Sequence, residues 1–265
     1  QPYVAGTFRW RLALRPLELD DWIQIGHDYD HEMDRKSWVL ENHYDTAVAV
    51  LPGIEHEAAN VLSSIVDHLT TTWPDWLEDR LVFGGGTVCF PNRWDLTSKL
   101  GLTMAEVHAP VSQLNEQLER PIDDFFTRLS DDKPFWRLGW GVLDTDDLYQ
   151  PLDGTASTPP PIPAVGDPST PDRLYLRVER ETLRRYSSPK CVLFTIRTYI
   201  RPLSHLAERP EDAARLADAL ANLPDDVADY KKISDLSAAA RHWLTAVAQG
   251  RDIGGPITSD DERTT

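Results

Sequence analysis

The chain has 265 residues, 41% of them apolar, and a formal net charge of −16. That length supports one large domain or two small ones with a sizeable core. The charge argues against non-specific nucleic-acid binding, which needs a basic surface, and disfavours docking on anionic lipid. Two cysteines, Cys89 and Cys191, are too few for a CxxC metal site or a disulfide framework, and both lie in apolar, strand-like stretches. With no Asn-x-Ser/Thr acceptor, signal-like segment or apolar run of membrane length, a reduced cytoplasmic or other intracellular compartment is expected.

In chain order, Pro16 to Asp21 reads as a turn leading into short helices. After the Pro52-Gly53 break, Ala58, Val61, Leu62, Ile65 and Leu69 keep helical spacing, and Pro74 ends that helix. VF-GGG-TVCF, residues 82–90, reads as a hairpin with a glycine turn; it lacks the spacing of a phosphate loop. Val111, Leu114, Leu118, Ile122, Phe125, Phe126 and Leu129 form a helical apolar stripe, with Pro121 expected at the first turn of a new helix. FWRLGWGVLD reads as a strand. Asp153 to Asp172 holds six prolines and reads as a flexible surface loop. Two further strands, LYLRVERE and CVLFTIRTY, precede amphipathic helices that run to about residue 250, and residues 253–265 read as a flexible tail. Strands that cluster rather than alternate with helices predict an α+β fold, an antiparallel sheet with helices on one side, and residues 1–252 read as a single domain.

The candidate chemistry is sparse. His27 and His31 are spaced i, i+4 and supply half a metal site at most. His108, just before Pro110 with apolar neighbours, reads either as a helix-terminal cap or as an axial ligand. The strands from Leu174 to Tyr199 concentrate five arginines in an acidic chain. Tyr175, Arg177 and Glu179 fall on one face of their strand, and Thr195, Arg197 and Tyr199 share a face of theirs. They read either as a solvated face with weak ion pairs or as a polar pocket wall. Arg184, Arg185 and Lys190, around the connecting turn, read as surface charge or a docking patch.

TVCFPNRWDLTSKLG, VHAPV, DDFFTRLSDDKPFWRLGW and LRVERETLRRYSSPKCVLFTIRTYIRPL together resemble the haem-dependent oxidative N-demethylase alpha-subunit-like family, over about residues 8 to 205. The resemblance implies a PAS-like fold: a five-stranded antiparallel sheet with flanking helices, haem b between them, and additional N- and C-terminal helices. It implies O2-dependent oxidation of a small secondary amine such as dimethylamine, with electrons from NADPH through a separate reductase carrying FMN and an iron–sulfur cluster. This chain has neither the cysteines for such a cluster nor a dinucleotide fingerprint, so the donor is another polypeptide. Carried over, His108 is the expected iron ligand. Arg177, Glu179 and Arg197 form the polar pocket wall, and Arg93, Arg137 or Arg180 pairs with a haem carboxylate. In Arg137-Leu138-Gly139-Trp140 the family pattern carries Asn where this chain has Gly139, which bears on substrate choice. The competing readings are a non-catalytic haem-binding PAS sensor and a descendant that has lost haem. The absence of a signalling output segment favours the enzyme.

Overall fold

The computed structural model describes residues 3, 5–9, 11–53, 55–72, 87–100, 102, 104–109, 111, 114–152, 161–186 and 191–251. A two-residue strand, β1 (Arg15–Pro16), precedes three long ones, β2 (Phe135–Leu143), β3 (Tyr175–Tyr186) and β4 (Cys191–Pro202). The long strands are rich in the β-branched and aromatic residues that suit a pleated, half-buried surface. They form a single antiparallel sheet in the order β1-β2-β3-β4. The fold is α+β, and among the described residues it is a four-stranded antiparallel sheet with flanking helices. The glycine hairpin expected at 82–90 falls mostly on residues outside the described ones. Thr87, in its second half, forms an isolated antiparallel bridge with Val48.

Register decides what shares a face, because directly opposed residues point to the same side of a sheet. Arg180 stands opposite Leu138 and Arg197, and Thr182 opposite Trp136 and Thr195; with Trp140, Val178 and Tyr199 these make one face, here the tryptophan face. Glu179 stands opposite Gly139 and Thr198, and Glu181 opposite Arg137 and Ile196; with Arg177, Gly141 and Ile200 these make the other, the glutamate face.

Helices cover both faces, not one as the element order suggested. After α1 (Tyr29–Asn42) and α2 (Tyr44–Ala47), the helix α3 (Glu55–Thr72) lies over the tryptophan face. There Val61 and Ile65 pack with Leu17, Trp22, Trp136, Tyr186 and Leu193. The short helix α4 (Met104–His108) packs on α5 (Leu114–Arg128), which meets the glutamate face: the Phe125 ring lies 5.3 Å from Phe135, and Arg185 donates to the Phe126 carbonyl. The physical reason is that β3 buries residues of both parities, Arg177 and Glu181 on one side and Arg180 and Thr182 on the other. Pro121 does not begin a new helix. It sits inside α5, where the missing amide costs one bond, and the buried stripe Leu118, Ile122 and Leu129 holds both halves to one surface.

The proline-rich stretch is not loose throughout. Asp167 accepts from the Ser169 amide and hydroxyl at 2.8 and 2.6 Å and starts α6 (Thr170–Arg173), whose Thr170 and Pro171 are buried. The largest core joins the sheet to α7 (Pro210–Ala221) and α9 (Ser234–Ala248), with α8 (Asp225–Tyr230) between them. Leu216, Leu236, Ala240 and Leu244 pack there with Val142, Leu174 and Leu203. Pro210 sits in the first turn of α7, where its missing N–H has no partner to lose.

One half-buried group of α3 makes a measurable prediction. The His68 ring lies 4.7 Å from that of Trp22, and its Nε2 is buried without a hydrogen-bond partner. Burial, then the Arg184 charge, push His68 below the ordinary histidine value of 6.5, with Asp20 opposing. The unfolded chain therefore takes up this proton first, so the stability His68 contributes is full above 6.5 and is lost as pH falls below it. In urea unfolding, the advantage of the wild type over His68→Phe should shrink from about pH 7 to about pH 5. An advantage that grows on acidification would contradict this.

Candidate functional site

The glutamate face is a charged row set into a core. Arg177 is fully buried, 1% exposed. Its Nε donates to Glu179 Oε1 at 2.9 Å and its Nη2 to the Phe90 carbonyl at 2.7 Å, while Nη1 is buried with no partner. Burial pushes the guanidinium's pKa down and Glu179 opposes that. Next along the face, Arg137 Nε donates to Glu181 Oε2 at 2.5 Å, and burial raises the Glu181 carboxyl against the Arg137 charge. Each glutamate thus has one oxygen held by an arginine, a charge-assisted bond that fixes the carboxylate plane. Thr198, opposite Glu179, is buried beside them. Beside this row, β4 presents Phe194, Ile196 and Ile200 to the same side, and Phe194 is 46% exposed. A solvated row of weak ion pairs is therefore the wrong description of Arg177 and Glu181: both are interior.

The expected wall of Arg177, Glu179 and Arg197 is not a single wall. Arg197 opposes Arg180, so it emerges on the tryptophan face. There it bonds Asp28 at 2.7 Å and also Glu32, whose buried carboxyl is raised by desolvation with Arg197 opposing. Arg197 and Tyr199 border a recess of about 450 Å³, with Asp20, Gln24, His27 and Asp28 on its rim. Arg180, on the same face, is spent on the carbonyls of Asp21 and Trp22 at 2.6 and 3.0 Å. Arg93 adopts a left-handed backbone, φ 58°, and its guanidinium holds Asp144 at 2.6 Å. His108 closes α4, half-buried, in the helical layer that α5 lays against the glutamate face.

The other sequence expectations fare variously. His27 lies ahead of α1, so it does not pair with His31 along one helix, and it meets Arg201 at 3.1 Å instead. Among the described residues no group of three or more His, Cys, Asp or Glu is placed to hold a metal ion. Arg184 is not surface charge: its guanidinium stacks 4.5 Å from the Trp22 ring. No helix among the described residues is long and apolar enough to cross a membrane. Two residues join the site that the sequence pattern did not single out. Glu181 continues the alternating row that Glu179 announces, and that spacing was a usable signal. Lys231 gave none: it arrives just after α8 and donates to the Trp140 carbonyl at 2.9 Å, where burial pushes its pKa down and both glutamates pull it up.

One family description, haem-dependent oxidative N-demethylase, alpha subunit-like, matches residues 13–79 and 77–241. The chain belongs to that family. The match takes in the whole sheet, α4, α5 and the α7–α8 region, so in this member of the N-demethylase alpha-subunit-like family both faces of the sheet, and Lys231 with them, lie inside the matched region.

Proposed function

We propose that this chain is the haem-binding, catalytic subunit of an O2-dependent N-demethylase acting on a small secondary amine of the dimethylamine type. Electrons come from a separate NADPH-dependent reductase carrying FMN and an iron–sulfur cluster. On this reading the sheet and its helices are a PAS-like haem pocket. The observation that carries the reading is Glu179, its carboxylate fixed by a fully buried arginine, on the face that also presents a partly exposed apolar row.

That face suits haem b in chemistry. Phe194, Ile196 and Ile200 offer apolar surface to a porphyrin plane, and the partly exposed Arg137 on the same face offers a cation to one of its carboxylates. The tryptophan face under α3 suits it less, being filled by Trp22, Arg184 and Tyr186. Arg180 and Arg197 stand on that other side and leave the proposed site. His108, the last residue of α4, is the proposed iron ligand.

Bound haem supplies the activation of O2; the chain supplies binding, orientation and field. Glu179 accepts an N–H of the protonated amine and so holds the methyl group toward the cofactor. Arg177 holds Glu179 in place through the bond from its Nε. The apolar row excludes water. Formaldehyde should appear when dimethylamine is incubated with the haem-loaded protein, O2 and an artificial reductant, and Glu179→Gln should cut turnover by about 10²-fold or more. Haem-loaded protein that turns over none of a panel of N-methyl amines would instead mark a sensor, and full activity in Glu179→Gln would remove Glu179 from its role.

A further inference from the structure

The seam between α3 and the tryptophan face is apolar at its centre and unsatisfied around it. Val61 and Ile65 of α3 pack there with Trp22, Tyr186 and Leu193. Glu57 and His68 share that side of the helix, at helical spacing from the same pair. Four side-chain atoms of these two elements are buried with no hydrogen-bond partner among the described residues. They are Glu57 Oε2 and His68 Nε2 from α3, and Arg184 Nε and Tyr186 Oη from β3. A buried polar group without a partner costs free energy, so each of the four weakens the docked arrangement. Asn60, Ser63 and Ser64 add nothing across the seam, since their hydrogen bonds return to His56, Ala59 and Asn60 within α3. Just ahead of the helix, Gly53 holds a left-handed backbone, φ 92°, with nothing within 4 Å of the place a side chain would take. That is a free hinge position.

We infer that α3 is an acid-sensitive cover: it lifts from the tryptophan face while the sheet stays intact, and a proton on His68 favours the lifted state. The inference is independent of haem, which the proposed function puts on the other face. The charges around His68 set the direction. Arg184 of β3 shares the Trp22 ring with His68, 4.5 Å and 4.7 Å from it, and also rests on the Tyr186 ring at 4.9 Å. Asp20, in the turn before Trp22, is the one acid that favours a proton on His68. Tyr186 and Cys191 complete the strand side, and burial raises both. Glu57 and Asp67 are the acids of α3 on either side of the pair Val61 and Ile65. A proton on docked His68 therefore sets a second cation beside Arg184 within the seam. Once α3 lifts, water reaches the ring and the same proton costs less. The lifted state binds it more tightly, so lifting grows as pH falls below 6.5, the ordinary histidine value.

Hydrogen–deuterium exchange of the full chain tests this, read on peptides of α3 and of β3 and corrected for the intrinsic rate at each pH. From about pH 7.5 to about pH 5.5, protection of α3 should fall about fivefold while that of β3 holds. His68→Phe should abolish the fall. Asp20→Asn, an exposed change that removes the opposing acid, should deepen it. Tyr186→Phe keeps the ring and removes the unpartnered hydroxyl, so it should raise α3 protection about fivefold at both pH values. Any of four results would overturn the inference: α3 as protected as β3 at both pH values, protection that rises on acidification, a fall that survives in His68→Phe, or a fall left unchanged by Asp20→Asn.

Discussion

Arg177→Met is expected to destabilise the protein by about 3 kcal/mol, the low end of the range for removing one partner of a buried ion pair. The low end applies because Glu179 keeps 21% of its side chain exposed and water relieves part of its uncompensated charge. The loss is larger than for a surface pair because the Phe90 carbonyl also loses its donor from Arg177 Nη2, 2.7 Å away. Arg177→Met combined with Glu179→Leu should recover part of the loss, since a buried pair exchanged for apolar groups leaves no orphaned charge. Urea unfolding of the two variants checks this. A change under about 1 kcal/mol in Arg177→Met would mean that the guanidinium is better solvated than its burial implies.

Trp22→Ala is expected to cost about 3–5 kcal/mol. Trp22 is 1% exposed and sits between three things. Its Nε1 donates to Thr182 Oγ1 at 3.2 Å, the Arg184 guanidinium lies 4.5 Å from its ring, and His68 of α3 packs against it at 4.7 Å. Removing the ring opens a cavity between the N-terminal segment, α3 and the sheet, and strands the Thr182 hydroxyl pair with Thr195 and the His68 ring beside it. Trp22→Phe keeps most of the volume and loses the N–H, so it should cost about 1–2 kcal/mol. A fall in urea midpoint no larger for Trp22→Ala than for Trp22→Phe would contradict this account.

Particular residues explain how far the sequence could be read. The long strands were legible because alternation and β-branched content mark them locally, and Leu174 to Tyr199 resolved as two antiparallel strands. The pairing register was not legible. It rests on which residue of β4 faces which of β3, and it alone separates Arg197 from Arg177 and Glu179. Placing helices on one side was an error of the same kind. Arginine and glutamate look like solvated residues in a pattern, and only their pairing inside the fold makes both faces of β3 interior. Pro121 misled because a proline's local cost is visible in sequence, whereas the burial of Ile122 and Leu129 that offsets it is not. Gly139 was visible as a departure from a pattern, and the Glu179 and Glu181 carboxylates packed over it were visible only in three dimensions. Lys231 reaches the site from a segment more than 40 residues beyond Glu179 in the chain, which no local reading connects to it.

The central claim is that this chain binds haem through His108. Its most direct test is the absorption spectrum of protein expressed with haem supplementation, recorded for the wild type and for His108→Ala. The account predicts a Soret band in the wild type that shifts or disappears in His108→Ala while the variant keeps the wild-type unfolding midpoint. A wild-type protein without a Soret band would contradict haem binding, and an unchanged band in His108→Ala would contradict the ligand.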